Sequence, residues 1–325
     1  MSRSFDLVLI GGLRASRRDA VRDFVLQLGA PVYAEPLSGL REDEALRDLL
    51  VLNERSLTGT GGADALVRPA ARERGPRRAG GRGCPPLPPF RRVLRIGDVP
   101  TLRFWRDLDE KYRDVEVVHV TDLPFAGLPR GEIVRDFPEA SAGAPFDFAA
   151  DRREHERIEA ILDAEPQSEQ AIFREISRTL PLRSRVYLGN SLPIREWDVA
   201  ATRENRGYEI GANRGANGID GQLSTFFGWC RPGAHNVAIV GDLTAIYDLN
   251  APWIAPQLDA EARVIIINNA GGRIFERVAS LRQLDKRLIL NEHAIRFEGW
   301  ASMFGIDVDE RRPDLEATRR VAAAC

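Results

Sequence analysis

Apolar residues recur at two different spacings in the first 136 residues, and each change of spacing predicts a new element. Asp6–Ile10 reads as a strand, Arg17–Leu28 gathers its apolar residues on one helical face, and Val32–Ala34 is extended again. The rhythm resumes with Val93–Ile96, passes through a helix around Leu102–Tyr112, and ends in the β-branched run Val115–Val120. Strands that alternate with helices predict a parallel sheet covered by helices. The stretch FPEASAGAP at Phe137–Pro145 breaks the pattern and predicts a linker, 137–165, that includes a charged helix over Asp151–Leu162. A second unit, 166–325, then begins. Ile172, Phe173, Ile176 and Leu180 share one helical face, the mark of core packing. Four strand-then-turn segments follow, Val186–Asn190, Tyr208–Gly211, Val237–Gly241 and Val264–Asn269, each ending in Gly, Asn or Asp. The expected fold class is therefore α/β, with two parallel-sheet domains at 1–136 and 166–325.

The first domain is interrupted by an irregular insert, 53–92. Its core, Arg68–Arg92, holds eight arginines, one acid (Glu73) and no apolar periodicity, so it cannot build a core of its own. It reads as a disordered surface loop, as an arginine/glycine-rich segment that contacts RNA or phosphate, or as a stretch translated out of frame. Gly11-Gly12-Leu13 after the first strand is a weak nucleotide-binding signal, because the third glycine of the fingerprint is missing and no acid clearly ends the next strand.

Composition narrows the partners. With 46 basic residues against 48 acidic ones the formal net charge is −2, which excludes a chain-wide polyanion binder; no nucleic acid partner is expected. Lys111 and Lys286 are the only lysines, leaving 44 arginines, most of them scattered as a GC-rich coding bias would scatter them. Cys84, Cys230 and Cys325 form no C-x-x-C pair and no even framework, which fits a reducing cytoplasm. No apolar run approaches the roughly 18 residues of a membrane span.

The main chemical signal is VAIVGDLTAIYDLN followed by VIIINNAGG. Asp242 and Asn269 each end a strand and lie 27 positions apart. If the two strands are parallel neighbours joined by a helix over Thr244–Leu258, both side chains reach one sheet edge. Such oxygen donors suit Mg2+, which takes one or two protein carboxylates together with phosphate oxygens and water. Gly241, Gly271 and Gly272 would let backbone approach a ligand, the Gly271 carbonyl would be a third metal ligand, and a diphosphate would complete the shell. Amides at Leu243 and Thr244, opening the helix, would favour that anion. Taken singly, Gly-Asp and Asn-Asn are ordinary turn residues; the joint spacing is what points to a site.

These segments resemble the Gly-Asp…Asn-Asn metal-diphosphate motif of thiamine diphosphate enzymes. GNSLPIREWD, NRGANGIDGQLST, GDLTAIYDLNAPW and NNAGGRIF, in that order over Gly189–Phe275, more closely resemble the MenD family, the 2-succinyl-5-enolpyruvyl-6-hydroxy-3-cyclohexene-1-carboxylate synthases of menaquinone biosynthesis. The resemblance implies a transferase in which Asp242, Asn269 and the Gly271 carbonyl hold Mg2+ or Mn2+ and the thiamine diphosphate lies against Gly241–Thr244, Asn269, Gly271 and Gly272. Ile219 matches the bulky residue that bends the cofactor. Asn190, Ser191, Arg195 and Arg214 match substrate-facing residues, and Ile274 and Phe275 match apolar residues on the isochorismate side. Arg103 matches one arginine of a Lys-Arg pair whose lysine is replaced here by Leu102. The implied substrates are 2-oxoglutarate and isochorismate, whose carboxylates suit arginine's planar fork. The family's activating glutamate belongs to an N-terminal domain that this sequence lacks, and its C-terminal end is short. The resemblance thus leads one to expect a chain inactive alone, either a non-catalytic cofactor-binding fragment or one subunit of a two-chain enzyme. Full-length relatives would be homo-oligomers.

Overall fold

The structure is a computed structural model that describes residues 3–58, 90–215, 218–278, 281 and 283–325. Most of the arginine-rich insert, residues 59–89, lies outside the described residues. The chain divides into two compact units, one formed by Met1–Ala34 with Ala45–Arg157 and the other by Glu35–Glu44 with Ile158–Cys325.

The first unit contains β1 (Arg3–Phe5), β2 (Leu7–Ile10), α1 (Arg18–Leu28), β3 (Val32–Ala34), β4 (Arg92–Ile96), α2 (Arg103–Glu110), β5 (Glu116–Val120), β6 (Glu132–Val134) and β7 (Ala140–Ala142), and it ends within α3 (Phe148–Ala164). Its five-stranded sheet has the order β3-β2-β4-β5-β6 and is parallel throughout. Leu7, Leu9, Val93 and Val117 point from it into a core closed by Phe104, Trp105 and Leu108 of α2. One expectation changes here. The 137–145 stretch is no bare linker, since β7 pairs in parallel with β1 and Phe137 stacks on Phe24 at 4.4 Å. Gly11 and Gly12 make room for a neighbouring turn: a Cβ on Gly11 would overlap the Asp98 carbonyl and one on Gly12 would strike its carboxylate. The glycines admit protein where a nucleotide would have to sit.

The second unit contains α4 (Glu169–Thr179), β8 (Arg185–Leu188), α5 (Leu192–Ala200), β9 (Glu209–Gly211), α6 (Gln222–Trp229), β10 (Asn236–Gly241), α7 (Asp242–Tyr247), β11 (Ala262–Ile267), α8 (Lys286–Ile289), α9 (Glu298–Phe304), β12 (Asp307–Arg311) and α10 (Leu315–Ala324). The sheet order is β12-β11-β10-β8-β9, again all parallel. Successive side chains of a strand face opposite sides, and both faces are apolar. Val186, Leu188, Ile239, Ile265 and Ile267 pack with Phe173, Ile176 and Trp197, whereas Tyr187, Val240, Val264 and Ile266 pack with Phe226, Phe227, Phe297 and Trp300.

The single helix expected over Thr244–Leu258 is instead the six-residue α7 followed by a 3-10 turn at Ala251–Gln257. Pro252 and Pro256 fall in the second piece, where a missing N–H and a clashing ring prevent a continuous α-helix. Strand β12 has no counterpart in the apolar pattern of the sequence; it pairs with β11 from Arg263↔Asp307 to Ile267↔Arg311. Among the described residues no helix is long and apolar enough to cross a membrane.

Candidate functional site

The chain path reverses at β8. From β8 it goes through α5 to β9 on one side, and then through α6 to β10 on the other. In an open parallel sheet the crevice beyond the carboxyl ends of the strands, at such a reversal, is where ligands bind. Asn190 and Ser191 follow β8, and Asp242 follows β10. The β10–β11 register places Gly241 beside Ile267, so Asp242 and Asn269 leave the sheet within two residues of each other.

The β8 side is a connected polar cluster. Asn190, 1% exposed, receives a hydrogen bond on Oδ1 from Arg214 Nη1 at 2.6 Å. It donates through Nδ2 to the Gly218 carbonyl at 2.7 Å, and through its backbone N–H to Gln222 Oε1, also at 2.7 Å. Gln222 Nε2 donates to the same Gly218 carbonyl at 2.9 Å, so the turn preceding Ile219 is held from two directions. Ile219 itself is half-buried. Ser191 has φ 71° and ψ −123°, a left-handed backbone that costs a residue with a side chain about 1–3 kcal/mol. Its hydroxyl does not cap α5, and its carbonyl accepts from Arg195 Nη1 one turn along. Burial lowers the Arg214 pKa below the usual arginine range, and the Glu35 carboxylate partly opposes the shift. Asn190, Ser191, Arg195, Arg214 and the Ile219 loop thus converge.

The second cluster is built around Asp242, which is 2% exposed. Its Oδ1 accepts from the Leu243 amide at 2.6 Å and its Oδ2 from the Gly271 amide at 2.9 Å, while His293 Nε2 lies 3.2 Å from Oδ2. Burial raises the pKa of Asp242; the Gly271 and Leu243 amides and His293 pull it back. The Leu243 amide thus has the Asp242 carboxylate as its acceptor. Gly271 is at φ +133°, and a Cβ there would overlap the Leu290 carbonyl. Its own carbonyl accepts from the Arg273 amide at 2.9 Å. A Cβ on Gly241, by contrast, would meet nothing within 4 Å, so open space lies in front of it. Thr244 is buried at the opening of α7, and Gly272 packs against the Phe275 ring and the Ile289 carbonyl.

Asn269 is 5% exposed and donates through Nδ2 to Glu169 Oε2 at 3.0 Å; its Oδ1 is buried and has no hydrogen-bond partner. Burial raises the pKa of the Glu169 carboxyl and the Glu196 charge adds to the shift, whereas Asn269 and Arg277 oppose it. Arg277 pairs with Glu196. Among the described residues no cluster of three or more His, Cys, Asp or Glu side chains could hold a metal. A hard cation does not require one. A buried carboxylate beside an amide oxygen that nothing else satisfies, with space at Gly241, is a donor set that fits Mg2+ or Mn2+ bridged to a phosphate.

Three further expected residues lie on other elements. Ile274 and Phe275 lie on a 3-10 turn, Arg273–Arg277, with Phe275 39% exposed. Arg103 lies in the first unit, at the start of α2, and its guanidinium bonds Asp107 on the same helix at 2.9 Å. The sequence reading missed Glu169, Gln222, Asp248 and His293. Glu169, Asp248 and His293 lie outside the glycine-bearing turns that drew attention to Asp242 and Asn269, and Gln222, directly after Gly221, opens α6.

No family profile matches the chain. It is 38% identical over 318 residues to a 2-succinyl-5-enolpyruvyl-6-hydroxy-3-cyclohexene-1-carboxylate synthase of Bdellovibrio bacteriovorus, a match covering 94% of this chain and 54% of that protein. It is 36% identical over 320 residues to the synthase of the same name from Akkermansia muciniphila, again covering 94% and 54%. The chain thus spans about half the length of the curated relatives it matches. Among solved structures, benzoylformate decarboxylase from Polynucleobacter necessarius aligns at a TM-score of 0.56 and 15% identity over 98% of this chain and 59% of that one. A putative thiamin diphosphate-dependent enzyme from Mycobacterium smegmatis aligns at 0.55 and 16%, over 99% and 60%. The fold is that of the thiamine diphosphate-dependent enzymes, and the chain is by sequence a homologue of the 2-succinyl-5-enolpyruvyl-6-hydroxy-3-cyclohexene-1-carboxylate synthases, the MenD family.

Proposed function

We propose that this chain supplies the metal- and diphosphate-binding side of a transferase site that decarboxylates 2-oxoglutarate and adds the succinyl unit to isochorismate, in menaquinone biosynthesis. The observation that supports it most is the pairing of Asp242 with Asn269 at one sheet edge, where Asn269 Oδ1 is buried without a partner. In this reading Asp242 Oδ atoms, Asn269 Oδ1 and the Gly271 carbonyl hold Mg2+ or Mn2+. The space before Gly241 takes the diphosphate, with Leu243, Thr244 and Gly272 closing around it. Thiamine diphosphate, when bound, supplies the electron sink for decarboxylation.

The chain's own residues position and neutralise. Arg195 and Arg214 receive the substrates' carboxylates, and burial of Arg214 strengthens that interaction by excluding water. Asn190 and Ser191 orient the same groups from the end of β8, and Ile219 presents an apolar wedge to the cofactor. Ile274 and Phe275 supply the apolar surface for isochorismate. The setting for this work is the cytoplasm, in a homo-oligomer or with a separate chain.

Calorimetry with thiamine diphosphate tests the reading. Saturable binding that requires Mg2+ is expected, and Asp242→Ala should abolish it. Binding indifferent to both Mg2+ and Asp242 would refute the metal assignment.

A further inference from the structure

Asn269 can ligate a cation only through Oδ1. Its amide nitrogen and oxygen have nearly the same shape, so packing alone does not decide which of them faces the ligand; the hydrogen-bond partners do. The partner here is Glu169, 1% exposed, whose Oε2 accepts from Asn269 Nδ2 at 3.0 Å. Oδ1 is left buried and unbonded. Facing Asn269, either oxygen of an ionised carboxyl, or the carbonyl oxygen of a neutral one, selects this orientation, whereas the hydroxyl of a neutral group would select the reverse.

Glu169 is itself well anchored. It opens α4 directly after Ser168, whose side chain caps the helix by accepting from the Ala171 amide at 3.2 Å, and its own amide donates to Thr318 Oγ1 of α10 at 2.9 Å. Beside it, Arg277 is paired with Glu196 of α5. A carboxyl group taken out of water and set against an amide is costly for stability alone. That cost is accounted for if the amide must be held in one orientation.

We infer that Glu169 is a positioning residue that fixes the Asn269 side chain with its oxygen turned outward as a metal ligand. This rests on the reading of Asp242 and Asn269 as a cation site. Groups that orient metal ligands from behind typically matter by about 10–100-fold in metal affinity.

The test titrates thiamine diphosphate into the full chain at stepped Mg2+ concentrations and reads the Mg2+ needed for half-maximal binding, with metal-free melting followed in parallel. Glu169→Met, which removes the acceptor, should raise that concentration about tenfold or more. Glu169→Gln, whose amide oxygen can still accept from Asn269, should stay within about threefold of the parent, a rescue that a general loss of stability would not give. If Glu169→Met does not fold, Glu169→Asp, which withdraws the acceptor by one methylene, should show the same weakening. Parent-like Mg2+ dependence in both Glu169→Met and Glu169→Asp would overturn the inference, as would equal weakening of Gln and Met. Failure of the parent chain to show any Mg2+-dependent binding would instead remove the cation site, and the inference with it.

Discussion

His119 shows how a single buried group sets an acid limit on stability. It lies on β5, 0% exposed, with Nε2 3.1 Å from the Arg130 carbonyl and Nδ1 buried without a partner. Burial pushes its pKa down to about 4; the Arg130 carbonyl opposes the shift, and the charges of Arg95 and Arg130 add to it. The unfolded chain takes up this proton near pH 6.5, whereas the folded chain refuses it until about pH 4. The unfolded state therefore binds more protons in that window, and His119 destabilises the fold progressively as pH falls through it. Urea unfolding of the parent and of His119→Gln between pH 7 and 5 should differ by a slope approaching about 1.4 kcal/mol per pH unit. Equal slopes would mean that His119 titrates normally. Neither His119 nor Glu169 could be recognised from sequence, because what makes each matter is a partner from another element. Asp242 and Asn269 were recognisable because the strand-glycine-turn pattern fixes their position locally.

The order of α-helices and strands followed from periodicity wherever an element was long and apolar on one face. It failed where tertiary pairing overrode weak local signals: β7 in a Pro/Ala/Gly stretch, β12 in the charged run Asp307–Arg311, and the crossover that two prolines split. Contacts between elements were likewise hidden. Asp248, 5% exposed and just past α7, accepts from the Gly221 and Leu223 amides at 2.6 and 2.7 Å and so caps α6 from outside. Arg41 closes the opposite kind of end: fully buried, it donates to the carbonyls of Trp197, Asp198, Ala201 and Thr202 where α5 terminates. A carboxylate at a helix start and a guanidinium at a helix end each match the helix dipole. Asp248→Ala leaves two amides at the start of α6 without their acceptor and should cost roughly 2–3 kcal/mol in urea unfolding. A loss below about 0.5 kcal/mol, the range of ordinary surface changes, would show that water replaces the cap. Because α6 begins beside the turn that carries Ile219, the same substitution should also weaken cofactor binding.

Most arginines with partners on the second unit's surface face acids rather than an anionic ligand, as in Arg319 with Glu276 and Glu316, Arg320 with Glu165, and Arg263 with Asp309. Exposed pairs of this kind contribute about 0–1 kcal/mol each, so they explain neither the fold's stability nor a function. The second unit instead stands on two apolar layers, one on each face of its sheet, while its carboxyl edge collects groups that are unfavourable without a ligand: the raised carboxyls of Asp242 and Glu169, the unbonded Asn269 Oδ1 and the left-handed Ser191. A molecule that satisfies these groups in the folded state alone must stabilise that state. With Mg2+ and thiamine diphosphate at about a hundred times the dissociation constant, the gain is about 2.7 kcal/mol. For a unit of this size that corresponds to an upward shift in melting temperature of about 5–10 °C. Hydrogen exchange should slow at Asn190–Ser191, Gly241–Leu243 and Asn269–Gly272, and Asp242→Ala should remove both the shift and the protection. A melting shift without slowed exchange at those turns would place the ligand elsewhere on the chain.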